Sequence, residues 1–144
     1  MISSKIIELK TNSEFLKAYP IIKQLRPHLN ENSYIELILA AQVEDNYKMF
    51  ALVEEDILVA VIGFKPMITL STGRYIWICD LVTDSKQRSK GYGEKLLTYV
   101  EEWGKEKEFN CVSLSSGIQR IDAHRFYEDK MNYKKVNFVF KKIL

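Results

Sequence analysis

The segment from Arg74 to Leu114 constrains the fold of this 144-residue chain more than any other segment. It begins with the run Arg74–Thr83, which is nearly apolar on both faces, as is typical of a strand inside a sheet that is covered on both sides. A helix with one apolar stripe is predicted from Glu94 to Lys107, and a second apolar run spans Cys111–Leu114. Because a helical crossover joins the two runs, we expect parallel neighbouring strands.

The flanking sequence predicts further helices and strands. Two capping boxes, Thr11–Glu14 and Ser33–Glu36, predict helix starts, and the first helix should kink or restart at Pro20. The other predicted elements are a first strand at Ile6–Leu9, an end of the second helix near Val43, strands at Tyr47–Val53 and Ile57–Lys65, a helix from about Asp122 to Met131 and a terminal strand at Val136–Leu144. The order β-α-α-β-β-β-α-β-α-β predicts an α/β fold of the α+β kind, with a mixed sheet that has helices on both faces, in a single domain over residues 1–144.

The composition excludes several classes of protein. An apolar content of 47% with 28% charged residues is that of a globular protein, and a net charge of +2 is too small to favour nucleic acid. The longest apolar run, Ile57–Phe64, is too short to cross a membrane. Cys79 and Cys111 lack metal-ligand spacing. We therefore expect a cytoplasmic protein with free thiols, no metal and no membrane or nucleic-acid partner.

The loop Arg88–Gly93 lies between the first strand of this crossover unit and its helix, and it predicts a phosphate site. Glycines let the backbone approach a ligand closely, and the N-terminus of a helix favours an anion. A dinucleotide-binding loop would need a small residue where Leu96 stands, and a P-loop would need a Gly-Lys-Ser/Thr sequence, which the chain lacks. An ordinary loop with two glycines stays open as an alternative.

Two motifs together resemble the GNAT N-acetyltransferase superfamily. Arg88–Gly93 is similar to its Arg/Gln-x-x-Gly-x-Gly/Ala pyrophosphate loop, Asp80–Asp84 looks like its central strand, and Ala123–Glu128 resembles its later Ala-x-x-Phe-Tyr helix. The family often has glycine where this chain has Asn132, the residue that best tolerates a left-handed conformation after glycine. The resemblance extends from Tyr75 to Tyr133.

The resemblance implies a GNAT-like fold and acetyl transfer from acetyl-coenzyme A to a primary amine. It implies that loop residues hold the pyrophosphate, namely Arg88, Ser89, Lys90, Gly91, Tyr92 and Gly93. It also implies that the central strand splays from its neighbour, so that its backbone pairs with the pantetheine arm at Leu81, Val82 and Thr83. Tyr127 matches the position near the thioester sulfur, where it would contact the cofactor and act as general acid.

Two residues are candidates for proton chemistry, and each keeps an alternative. The phenol of Tyr127 is matched in basicity to a thiolate leaving group, but Phe126 and Tyr127 could simply pack the helix onto the sheet. Asp80 is the only acidic or basic side chain in the otherwise apolar run from Tyr75 to Val82. It could be the base for the attacking amine, an anchor for a cationic acceptor with water as base, or the partner of Arg120, Arg125 or another basic residue. Regular alternation would place Asp80 on the same face as Ile78 and Val82.

The expected mechanism is direct attack in a ternary complex, since neither Cys79 nor Cys111 has an evident adjacent base. The alternative function is a non-catalytic module that binds coenzyme A or an acyl-coenzyme A as a sensor. The acceptor, a small molecule or a peptide amine, is not indicated by the sequence. A homodimer is possible.

Overall fold

The computed structural model describes residues 4–144, which fall into two compact units that are described separately. The first unit extends to Ser113 and the second spans Leu114–Leu144. The strands are β1 Ser4–Leu9, β2 Lys48–Glu54, β3 Ile57–Thr69, β4 Gly73–Thr83 and β5 Val112–Leu114. The helices are α1 Asn12–Leu25, α2 Glu31–Asp45, α3 Tyr92–Glu106 and α4 Ile121–Arg125.

The five strands form one sheet in the order in which they occur along the chain. The pairs β1–β2, β2–β3 and β3–β4 are antiparallel. β5 lies beside β4 and is reached through the crossover helix α3, the connection that makes two strands parallel. The predicted mixed sheet is therefore confirmed.

Helix α1 begins at the predicted capping box. The Thr11 hydroxyl accepts a hydrogen bond from the Glu14 amide at 3.2 Å, and the Glu14 carboxylate accepts one from the Thr11 amide at 2.9 Å. These bonds satisfy amides that a helix start leaves without partners. Pro20 lies inside α1, which runs through it as one helix, so the predicted restart does not occur.

Helix α2 begins three residues earlier than the second capping box predicts. Asn30 caps it, because its side chain accepts a hydrogen bond from the Ser33 amide at 2.8 Å, and the Ser33 hydroxyl accepts one from the Asn30 amide at 3.1 Å. The predicted role of Ser33 as the cap is wrong. Asparagine caps helices as well as serine does, and Ser33 completes the reciprocal bond that was assigned to Glu36.

Helices cover both faces of the sheet. Ala51 and Val61 belong to the buried cluster that also contains side chains of α1 and α2. Residues next to them along each strand face the opposite side of the sheet. On that side the ring of Phe50 lies 5.3 Å from the ring of Tyr99 in α3. The predicted apolar stripe of α3 is buried on this second face at Leu96, Leu97 and Val100, and Trp103 is half-buried there.

A β-bulge in β4 changes which residues share a face. Gly63 of β3 pairs with Asp80, but the next residue, Phe64, pairs with Ile78, so Cys79 is the extra residue. Ile78 therefore lies on the α3 face with Phe64, whereas Asp80 and Val82 lie on the α1–α2 face. The expectation that Asp80 shares a face with Val82 is confirmed, and the expectation that it shares one with Ile78 is wrong.

In the second unit, α4 continues as a π-helical turn, Phe126–Lys130, close to the predicted helix. Asn132 follows with a positive φ of 62°, as expected for the residue in the glycine position. The predicted terminal strand at Val136–Leu144 is not formed, since residues 132–144 have no regular secondary structure. Alternation of apolar residues shows that a segment can be a strand, but a strand also needs a neighbour to bond its amides and carbonyls.

Candidate functional site

The turn between β4 and α3 is held in place by the last turn of α1. Asp84 caps a short 3-10 turn, and its carboxylate accepts hydrogen bonds from the Lys86 amide and the Gln24 side chain, both at 3.2 Å. These two bonds lower the pKa of Asp84. The Gln24 side-chain oxygen also accepts a bond from the Ser85 amide at 2.9 Å. Both hydrogen-bonding atoms of the Gln24 amide thus fix the start of the turn.

The loop Arg88–Gly93 has the backbone features of an anion site. Ser89 and Gly91 are left-handed, with φ of 66° and 79°, and Gly91 stands at the N-terminus of α3 without a side-chain cap. A methyl group on Gly91 would meet no other atom within 4 Å, so the space above this backbone is open. The residues therefore fit a pyrophosphate, since Gly91 places no capping side chain over the N-terminus of α3 and a helix N-terminus favours an anion.

The end of β4 is paired along one edge by β3, where Ile62 lies opposite Leu81 and Ala60 lies opposite Thr83. On the other side, the Ile76 amide donates to the Cys111 carbonyl at 2.9 Å, so β5 begins beside the first half of β4. With only three residues, a parallel β5 ends before it reaches Leu81. Pairing of this edge of β4 with a pantetheine arm stays a prediction.

A cavity of about 480 Å³ lies on the α1–α2 face of the sheet. Its apolar lining comes from Ile22, Leu29, Tyr34, Leu37, Ile38, Ala41 and Met49. Its polar lining comes from Arg26, His28, Asp45, Tyr47, Lys65, Cys79 and Asp80. This combination of apolar walls and a few convergent polar groups is that of a small-molecule site.

Asp80 is the polar centre of this cavity. One carboxylate oxygen accepts a hydrogen bond from the Tyr47 hydroxyl at 2.8 Å, and the other accepts one from Arg26 Nε at 3.2 Å. Arg26 Nη2 also donates to the Cys79 carbonyl at 3.0 Å. Burial and the Asp80 charge raise the pKa of Tyr47 well above its ordinary value, so this phenol remains a donor. Of the three readings of Asp80, an ion pair is present, and its partner is Arg26.

Gly63 makes room for this arrangement. It pairs with Asp80 across the sheet, and the Tyr47 hydroxyl occupies the position that a side chain at residue 63 would take. Any other residue at 63 would collide with Tyr47 and move it away from Asp80. Glycine inside an apolar strand often marks such a close approach, so the sequence contained a signal for this residue.

Three further side chains contribute to the charge state of the cavity. Lys65 Nζ forms an ion pair with the Asp45 carboxylate at 3.4 Å. Burial and then the Asp80 charge raise the pKa of Cys79 to about 11. Cys79 is therefore a neutral thiol near neutral pH, and it is a poor nucleophile.

Tyr127 belongs to the second unit and is half-buried there. Its ring lies 5.3 Å from that of Phe126 and 6.1 Å from that of Tyr133. Burial raises the pKa of Tyr127 against the opposing effect of the Arg120 charge, so its hydroxyl stays protonated. Three residues earlier, His124 makes a contact of 2.8 Å with the Gly117 carbonyl through Nε2.

Sequence reasoning did not find the partners of Asp80. Arg26 and Tyr47 are 54 and 33 residues away along the chain, and no local pattern connects them to β4. Within residues 4–144 there is no cluster of three possible metal ligands, and no helix has the length and apolar character to cross a bilayer.

The chain matches the family model for the acetyltransferase (GNAT) family over residues 12–133. It is 40% identical over 135 residues to the uncharacterized N-acetyltransferase YhdJ of Bacillus subtilis, a match that covers 94% of this chain and 95% of that protein. It is 37% identical over 67 residues to the aminoalkylphosphonate N-acetyltransferase of Salmonella typhimurium, covering 46% and 43% of the two chains. The fold is similar to that of aminoglycoside N-acetyltransferase AAC(6')-Iy in complex with CoA, with a TM-score of 0.85, 10% identity and coverage of 100% and 96%.

Proposed function

We propose, from the premise that this chain belongs to the GNAT acetyltransferase family, that it moves an acetyl group from acetyl-coenzyme A to the primary amine of a small acceptor. The observation that carries this proposal is the arrangement along β4. This strand contributes Asp80 to the cavity and then leads into the glycine loop at the start of α3. One strand would therefore connect the proposed site for an amine to the proposed site for a phosphate.

On the donor side, the residues that would hold the pyrophosphate are Arg88, Ser89, Lys90, Gly91, Tyr92 and Gly93, which we call the donor loop. The left-handed Gly91 and the absence of a side-chain cap on α3 support this role. The backbone of Leu81, Val82 and Thr83 would bond the pantetheine arm along the strand edge that β5 leaves open. When bound, acetyl-coenzyme A supplies the thioester whose carbonyl carbon the amine attacks.

On the acceptor side, Asp80 would anchor the amine as an ammonium ion. Tyr47 and Arg26 both donate hydrogen bonds to Asp80, so both carboxylate oxygens already act as acceptors and the group is placed to hold a cation. With Asp80 as an anchor, solvent water would take the proton that the amine, with a pKa of about 10.4, must lose before it attacks. Anchoring accounts for the contacts of Asp80 better than the general-base role does.

For the leaving group, Tyr127 would donate the proton that the thiolate gains. Its raised pKa keeps this proton available near neutral pH. The transfer would be direct, because Cys79 has a pKa of about 11 and offers almost no thiolate to form an acetyl-enzyme.

Two relatives support a small-molecule acceptor. The name of the Salmonella relative gives aminoalkylphosphonates as its acceptors, and that of the structural relative gives aminoglycosides. A cavity of about 480 Å³ is of the size that small molecules occupy. The free cysteines are those of a protein in a reducing compartment, so we infer a cytoplasmic location.

The test is a screen of amines with acetyl-coenzyme A, read by the release of free thiol from the purified protein. We expect thiol release that depends on the amine, and no labelled protein when radioactive donor is supplied without acceptor. A stable acetyl-protein would overturn direct attack. Tight binding of coenzyme A without turnover on any amine would favour the sensor function.

A further inference from the structure

The charged side chains of the cavity balance one another. Arg26 pairs with Asp80 and Lys65 pairs with Asp45, so the charges of these two pairs sum to zero. An acceptor that brings only an ammonium group would leave one positive charge without a partner, and a diamine would leave two. Partly buried charges without partners are costly. An acceptor that carries an anionic group as well as the ammonium group leaves the summed charge of the two pairs and the acceptor at zero.

The two partners of Asp80 differ in how easily they can leave. Tyr47 is only 9% exposed, and its hydroxyl is lodged above Gly63. The side chain of Arg26 is 40% exposed and stands at the end of α1. An ammonium ion that enters from solvent can therefore exchange with Arg26 but not with Tyr47.

Arg26 has a second bond that does not depend on Asp80. Its Nη2 donates to the Cys79 carbonyl at 3.0 Å, and this bond can keep the guanidinium at the cavity after its Nε has left the carboxylate. A guanidinium offers a planar pair of donors that suits carboxylates and phosphonates. The released Arg26 is thus a ready site for an anion.

We propose that the acceptor is a small zwitterion, whose ammonium group replaces Arg26 on Asp80 and whose carboxylate or phosphonate binds the released guanidinium. This inference rests on the proposed function and specifies the acceptor of the same cavity. Asp80 would bind the ammonium group, and the Cys79 carbonyl would hold the guanidinium that binds the anion. These two residues are consecutive. The two charges of the acceptor are therefore separated by only a few bonds.

The test compares acceptors of matched length: β-alanine, aminoethylphosphonate, propylamine and diaminopropane. We expect kcat/KM for at least one of the two zwitterions to exceed that for propylamine by about tenfold or more, as a charge-assisted pair gives. In Arg26→Met the higher kcat/KM of the zwitterion should disappear. The kcat/KM for propylamine should not fall, because propylamine no longer competes with Arg26 for Asp80. Arg26→Lys should keep part of the advantage. Lys17→Met, an exposed change on the same helix, is the control and should alter neither rate.

Calorimetric titration with coenzyme A present separates this inference from the proposed transfer. Binding of a zwitterion that depends on Arg26, without turnover, would support the inference and count against acetyl transfer. Turnover that prefers propylamine or diaminopropane would overturn the inference and leave acetyl transfer standing. An equal loss for all four amines in Arg26→Met, with an unchanged melting temperature, would also overturn it, as would failure of both zwitterions to bind.

Discussion

The donor loop and the acceptor cavity are built from different parts of the polypeptide. The donor loop is short in sequence, partly exposed and made of backbone amides and left-handed residues. The cavity is made of side chains from α1, α2, β2, β3 and β4, joined by hydrogen bonds and ion pairs. A candidate site made of backbone groups can be proposed from one stretch of sequence, and its ligand stays a prediction. A site made of distant side chains becomes visible only in the fold.

The largest effect on turnover is expected from Tyr127→Phe, a change that should leave substrate binding at the donor loop and at the cavity intact. Tyr127→Phe should lower kcat by about a hundredfold or more, as the loss of a general acid does, with little change in either KM. Because burial raises the pKa of Tyr127, the native enzyme should keep its activity to a pH above the ordinary tyrosine value of about 10, and the variant should lack this alkaline limb. Steady-state pH–rate profiles of both proteins measure this, and an unchanged kcat would assign Tyr127 to packing.

Asp80→Asn should damage the cavity and leave the donor loop intact. Loss of the charged partner should lower kcat/KM for the acceptor by about 10- to 100-fold, while the Kd for coenzyme A stays the same. Asp56→Asn is a matched control in the exposed hairpin turn, where asparagine tolerates the observed φ of 67°. Kinetics and coenzyme A titration should be measured on both variants. A loss of coenzyme A affinity in Asp80→Asn would show that the two regions are not separable.

Gly63→Ala should displace a side chain that lines the cavity. The added methyl group collides with Tyr47, so we expect the free energy of unfolding to fall by about 1–3 kcal/mol, as overpacking does, and the acceptor KM to rise. Denaturant unfolding and kinetics check this. Native stability together with a native acceptor KM in Gly63→Ala would mean that Tyr47 does not position Asp80.

Gly91→Ala makes the same substitution in the donor loop. Here alanine should destabilise the loop through its backbone conformation and not through a collision. Alanine in a left-handed position loses about 1–2 kcal/mol, although no atom lies near the new methyl group. We expect weaker binding of coenzyme A and an unchanged acceptor KM. If Gly63→Ala and Gly91→Ala weakened the binding of the same substrate, the two regions would not be separate sites.

The smallest effect is expected at the exposed edge of the donor loop. Lys90 is exposed and bonds Gln87 at 2.8 Å, so it should contribute to pyrophosphate binding mainly through its charge. Lys90→Gln should raise the Kd for coenzyme A by about two- to fivefold at low salt, and the difference should vanish at high salt. A difference that is insensitive to salt would point to a direct, desolvated contact.

The sequence allowed the elements around the donor loop to be predicted closely. The apolar runs and the Thr11 capping box gave β4, α3 and the start of α1, because each depends on neighbouring residues. The start of α2 was misplaced since Asn30 and Ser33 are both good caps. The face of Asp80 relative to Ile78 was missed because the bulge at Cys79 depends on the pairing with β3. The terminal strand was predicted from alternation, which says nothing about a pairing partner.

The last turn of α1 contacts both regions. Gln24 holds Asp84 and Ser85 before the donor loop, and two residues later Arg26 holds Asp80. If an acceptor moves Arg26, the same helix end would carry the change toward the donor loop, so we expect each ligand to alter the affinity for the other. Thermodynamic linkage then requires reciprocity: the factor by which the acceptor changes the affinity for coenzyme A equals the factor by which coenzyme A changes the affinity for the acceptor. Titrating each ligand in the presence and absence of the other measures this coupling, and Gln24→Ala should weaken it.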